Sequence, residues 1–284
     1  MKIINKLIAL VLFVSFMVLV YATSLIGIFS SNQKLTKVLD DAGFYKASSV
    51  LMSEELNKQI NSPNSLLNEA IKNSVSASIT SDVAKKVIQP TQILIVEWLN
   101  NKQDKITIDL DLLPIKNKVA TKSADNQIKF EITRLLPDSI DVLSESNDKS
   151  GLLAQLNRVK EVYLNVKMAL PFIWMVFGIS ALTMFLLNIR SGSNKFNRIL
   201  YTTLFASILG LLISALSSFS ASSINLEITT GQGIDNFQLV TKLILTVLKD
   251  SFMTFVIAAA ISAIGIIVFK ILFKSRDKHL KKKK

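Results

Sequence analysis

Four stretches of this chain run without a single Asp, Glu, Lys or Arg: between Lys6 and Lys34, Lys167 and Arg190, Arg198 and Glu227, and Asp250 and Lys270. A helix of about 20 apolar residues crosses the hydrocarbon core of a bilayer, where each backbone N–H and C=O must find its partner within the protein. The runs therefore predict four transmembrane helices, near 7–29, 168–187, 199–219 and 252–273. The fold class expected is an all-α integral membrane protein of four transmembrane helices plus a mainly helical extracytoplasmic domain with one short β-ribbon. Its parts are an N-terminal anchor (1–29), an extracytoplasmic domain (30–166), a three-helix transmembrane region (167–274) with an outer amphipathic loop (224–250), and a basic cytoplasmic tail (275–284).

The basic start "MKIINK" and the small residues Ala22, Thr23 and Ser24 also fit a signal peptide. A cleaved hydrophobic region spans only about 7–15 residues, and this run is far longer, so it reads as an uncleaved anchor. Charge gives the orientation. Lys2 and Lys6 carry +2, the 188–198 segment +3 through Arg190, Lys195 and Arg198, and the tail from Lys270 onward +7, which together account for the whole net charge of +12. The segment 30–166 holds seventeen basic and seventeen acidic residues and is neutral. Lys167 is offset by the last outer loop, where Glu227, Asp235 and Asp250 face Lys242 and Lys249. The positive side of a multi-span chain is cytoplasmic. Both termini are thus expected inside a plasma (inner) membrane, with 30–166 outside.

The basic pI does not point to nucleic acid, because no folded segment holds the charge. "KSRDKHLKKKK" reads as a positive-inside anchor resting on anionic lipid headgroups, each Lys contributing up to about 1 kcal/mol near the surface. Cysteine is absent, so the outer domain has no disulfide or thiolate and must be held by its core. No Asn lies in an N-x-Ser/Thr sequon, and Lys, Ile, Asn and Ser are favoured over Arg, a composition that fits a bacterium.

Within the outer domain, Leu35, Val38, Leu39 and Ala42 keep helical spacing, Gly43 interrupts, and Phe44, Ala47, Val50, Leu51 and Leu56 restart it. "NSPNS" at 61–65 reads as a turn. Two more helices follow in "SLLNEAIKNSV" and "SDVAKKVIQPTQILIVEWLNNK", with Ser81 as N-cap and Pro90 as kink or boundary. Ile106, Ile108, Leu110 and Leu112 then alternate with polar residues, as in a half-buried strand. Its expected partner is "NQIKFEITRL", where Ile128, Phe130 and Ile132 alternate. "GLLAQLNRVKEVYLNVK" returns to helix and is expected to run unbroken into the second span.

One anchor helix, "VLDDAGFY" from Val38 to Tyr45, a helical outer region carrying "EWLNNK", and three later spans resemble uncharacterised bacterial four-span membrane proteins with a large extracytoplasmic loop. The resemblance implies the layout of the whole chain. It implies no activity and no functional residue.

The chain offers little for catalysis. Its single histidine, His279, sits in the basic tail, which excludes a histidine triad or histidine metal site elsewhere. There is no phosphate-binding glycine pattern. Gly231-Gln232-Gly233 reads as a turn leading to a helix capped by Asp235 and Gln238. Asp104, Asp109 and Asp111 form the best acidic group. Asp109 and Asp111, two apart on a strand, share a face and could hold Ca²⁺, but the further ligands of a dedicated site are missing and a solvated strand face explains them as well. Trp98 reads as a core anchor and Trp174 as an aromatic at the outer membrane interface. No cofactor is expected.

The clearest pattern lies inside the spans. None has an ionisable residue in its centre, whereas transporters and pumps usually do. Instead Thr203, Ser207, Gly210, Ser214 and Ser217 recur at spacings of four and three, one stripe along the third span. Ala258, Ser262 and Gly265 form another on the fourth. Such stripes let helices approach closely. Alternatively, the first could line a pore in an oligomer or receive a lipid or partner helix. The amphipathic segment "DNFQLVTKLILTVLKD", with Phe237, Val240, Leu243, Ile244 and Val247 on one side, could lie in the outer membrane interface, dock under the outer domain or extend the fourth helix outward; docking is expected, with the membrane surface as the alternative. The function these readings favour is a cell-envelope scaffold or accessory subunit, not an enzyme, binding a protein or envelope component or itself. The alternative is an oligomeric pore or transport component.

Overall fold

The computed structural model describes residues 2–60, 65–103, 106, 108–122, 126–141, 149–187, 194–224 and 236–281. The turn expected at 61–65 (but for Ser65), Asp104, Thr107, Arg190, Glu227, Gly231 to Gly233 and Asp235 lie outside the described residues. Among the described residues, four helices are long and apolar enough to cross a membrane. They fall within α1 (Lys2–Phe29), α8 (Lys149–Leu187), α9 (Asn194–Ser223) and the consecutive pair α10 (Asn236–Asp250) and α11 (Phe252–Lys281). Between the first two stand α2 (Asn32–Asp41), α3 (Phe44–Gln59), α4 (Ser65–Ser78), α5 (Ser81–Leu99), β1 (Asp109–Asp111), α6 (Leu113–Lys122), α7 (Asn126–Leu135) and β2 (Ser139–Asp141). The chain forms two compact units, one of Met1–Ile26, Leu164–Ser222 and Leu245–Lys284, the other of Gly27–Tyr163 and Ser223–Ile244.

The second unit owes its shape to short amphipathic helices. Ser31 caps α2, its hydroxyl accepting from the Lys34 amide. Gly43 separates α2 from α3 with φ 75°, a left-handed conformation that costs a residue with a Cβ about 1–2 kcal/mol. Pro90 neither ends nor divides α5. It lies on the exposed side, where water can serve the Lys86 carbonyl that loses its helical amide. The N-cap of α5 is Thr80, not Ser81, and its side chain makes no capping bond. Ile71, Val75, Val83, Val87, Ile115, Val119 and Ile132 meet in one core.

The β-ribbon exists but is smaller than expected and pairs differently. β1 is antiparallel to β2, with Leu110 opposite Ile140 and both packed on the core. The expected partner, "NQIKFEITRL", is the helix α7. Its apolar residues satisfy both periods over a short run: Ile128, Ile132, Leu135 and Leu136 also recur at helical spacing. Burial decides, because the helix puts Ile132 and Leu136 in the core and leaves Phe130 67% exposed.

In the first unit, α1, α9 and α11 enclose a cluster of Phe16, Val20, Ala206 and Phe255, against which Phe177 of α8 also packs. α8 is continuous through Pro171 over 39 residues, as the sequence suggested for its run into the second span. The opposite face of α9, through Phe205, Ile208, Leu212, Leu216 and Phe219, is exposed.

Candidate functional site: a hydroxyl seam

α9 brings its small residues onto α11. The Thr203 and Ser262 hydroxyls are 3.0 Å apart. A Cβ on Gly210 would meet the Phe255 ring at well under 3.0 Å, and one on Gly265 would stand 3.1 Å from the Leu200 methyls. Leu200 against Gly265, Thr203 against Ser262 and Gly210 against Phe255 are rungs of a single antiparallel register. Ala258, one turn from Phe255, packs on the same cluster. Ser207 and Ser214 are 0% exposed and Ser217 is buried. Ser207 donates to the Thr203 carbonyl at 2.7 Å and Ser217 to that of Ile213 at 2.8 Å, which hides two hydroxyls against their own helix. A Ser/Thr bond across such a seam contributes about 0.6 kcal/mol. The stripe therefore faces a neighbouring helix of the same chain.

The carboxylates of β1 do not act together. Asp111 Oδ1 accepts from the Leu113 amide at 2.9 Å and so caps the start of α6, while Asp109 is exposed and its carbonyl accepts from Thr91 Oγ1. Among the described residues, no three His, Cys, Asp or Glu side chains come together as a metal-binding group. Trp98 is buried with the Lys160 ammonium 4.5 Å from its ring centre. Trp174 is 53% exposed. Ile244, on the apolar side of α10, is exposed, and Lys242 donates to the Ile224 carbonyl. A groove of about 470 Å³ between α1 and α8, walled by Leu10, Val14, Val18, Phe172 and Val176, is almost wholly apolar.

Two polar clusters escaped the sequence reading because their members lie far apart along the chain. Tyr163 donates to Asn100 Oδ1 at 2.8 Å and lies 3.2 Å from the Ser30 hydroxyl, and Asn100 donates to the Phe29 carbonyl. This ties the end of α1, the end of α5 and the middle of α8. In the other, buried Tyr45 donates to Gln92 Oε1 at 2.7 Å and Gln92 donates to Thr36 Oγ1, which joins α2, α3 and α5. Burial raises the Tyr45 phenol above its ordinary pKa, and hydrogen bonding to Asp40 raises that of Lys85.

No family model, curated protein or solved structure matches this chain.

Proposed function

We propose that this chain is a multi-pass protein of the plasma membrane with both ends in the cytoplasm, working in the cell envelope as a scaffold or accessory subunit. Its unit between α1 and α8 lies outside and binds a protein or envelope component. The orientation is supported by the charge excess, all of it in segments that a four-span topology gathers on one side. The basic tail rests on anionic headgroups there.

One observation carries the reading: the hydroxyl stripe is buried in helix packing. Thr203 pairs with Ser262, Gly210 receives Phe255, and Ser207 and Ser214 have no exposed surface. A pore lined by this stripe would need these groups to face water. With the seam closed, the part able to meet a partner is the folded outer unit. The chain has no cysteine of its own, so single cysteines at Ser207, Ser214 and Ser217 can be probed in intact membranes with a small membrane-impermeant thiol reagent. No labelling at these sites, with a cysteine at exposed Ser76 labelled as control, is expected. Labelling throughout the stripe would replace the scaffold reading with that of a water-lined path. Mild-detergent capture on the outer unit that yields no specific partner would sink the scaffold reading by itself.

A further inference from the structure

Three buried hydroxyls lie in the first unit, one on α1, one on α9 and one at the turn before α11. The α9–α11 register sets Leu200 on Gly265, Thr203 by Ser262 and Gly210 on Phe255; continued by one turn, the same register pairs the level of Ser214 with that of Ser251. The backbone keeps helical geometry there, since the Phe255 amide donates to the Ser251 carbonyl. Tyr21 of α1 meets the Phe255 ring edge-on at 5.4 Å, and its hydroxyl comes close enough to that of Ser214 to interact with it. That approach lacks hydrogen-bond geometry: Tyr21 Oη, Ser214 Oγ and Ser251 Oγ are all buried, and none makes a well-formed hydrogen bond within the protein. Ser214 and Ser251 are 0% exposed. Ser207 and Ser217 on the same stripe bond back to their own helix, and Ser214 does not.

An isolated buried hydroxyl is costly, and native interiors nearly always provide it with a partner. Three together, from three segments, mark a site for a shared one. The Tyr21, Ser214 and Ser251 hydroxyls are neutral and each can donate or accept. That set suits a small neutral molecule of the same dual character and gives an ion nothing to balance its charge. A buried water makes about three hydrogen bonds to polar groups of this kind. Ser251 adds a reason for the place. It is the break between α10 and α11, and the first amides of α11 find no carbonyl within their own helix.

We propose that Tyr21, Ser214 and Ser251 form a built hydration site, in which an ordered water bridges α1, α9 and the start of α11 and holds the break in the fourth span. Tyr21→Phe, Ser214→Ala and Ser251→Ala each remove one hydroxyl and little volume. In the full chain in nanodiscs, each is expected to lower the unfolding midpoint by about 2–4 °C, and the triple variant is expected to fall less than the sum. Hydroxyls with no partner would give the opposite sign, because removing a buried unsatisfied group stabilises. A rise for any one of the three overturns the proposal. Radiolytic hydroxyl-radical footprinting, in which water beside a ring is the source of the radical, separates bridging water from direct bonds. Tyr21 is expected to be modified, and modified less when Ser214 and Ser251 are both Ala. An unmodified Tyr21, even with lowered midpoints, means that the hydroxyls bond one another and no water is held.

Discussion

Gly210→Ala is the sharpest test of the seam. One methyl group would be placed well inside contact distance of three ring carbons of Phe255. The ring cannot easily swing away: Phe255 is 0% exposed, with Phe16 at 6.3 Å and Tyr21 at 5.4 Å on its other sides. Overpacking of this kind costs about 1–3 kcal/mol, and the better helix propensity of Ala returns about 1 kcal/mol. A net loss of about 1–2 kcal/mol is expected in equilibrium unfolding in mixed detergent micelles. Phe255→Leu in the same chain should recover part of it, so that the double variant is more stable than the sum of the singles requires. Gly178→Ala is the control, because a Cβ there has nothing within 4 Å. It should be neutral or slightly stabilising. If Gly210→Ala is as stable as the parent, or if Phe255→Leu adds its full cost on top, the two residues do not meet and the register is wrong.

Gly43→Ala puts a Cβ on a left-handed residue and is expected to destabilise the second unit by about 1–2 kcal/mol, read by thermal unfolding followed by circular dichroism. Asn100→Ala removes the bond from the Tyr163 hydroxyl to Asn100 Oδ1 and is expected to cost about 1–3 kcal/mol; amide exchange that is not faster at the end of α5 and around Tyr163 would refute the clasp. Tyr45 is neutral when folded and its pKa is raised, so its stabilisation is complete below the ordinary value of 10.0 and is lost as pH rises toward the folded value. Denaturant titrations from pH 8 to 11 should therefore fall less steeply above about pH 10 in Tyr45→Phe than in the parent. Parallel curves would mean that Tyr45 is not the group responsible.

The four long apolar helices were legible because charge is so costly in hydrocarbon that its absence over a whole run leaves few other meanings. The small residues at spacings of three and four marked the seam face of α9 for a similar reason. What fills that face was not legible. That Gly210 takes Phe255 depends on the register between helices, which no local pattern encodes. The strand partner was misread because Ile128, Phe130 and Ile132 alternate within a run too short to exclude a helix. α6 went unseen, since of "LPIKNKVATK" only Ile115 and Val119 are buried, too few for a pattern, and their burial depends on α4 and α7. The Ser30–Asn100–Tyr163 clasp had no signal at all: three ordinary polar residues become a cluster only once the chain has folded.

The notch at Gly210 also has a consequence for the order in which the protein is made. The ring that fills it lies about 45 residues further along the chain, which at roughly 5–20 residues per second is a delay of about 2–9 s. Through that interval the face of the third span around Gly210 lacks the ring that fills it. Whatever shields that face during synthesis, whether lipid or the insertion machinery, must release it when Phe255 arrives. A nascent chain arrested before Phe255 should cross-link from Gly210 to such a shield, and one arrested well after it should not.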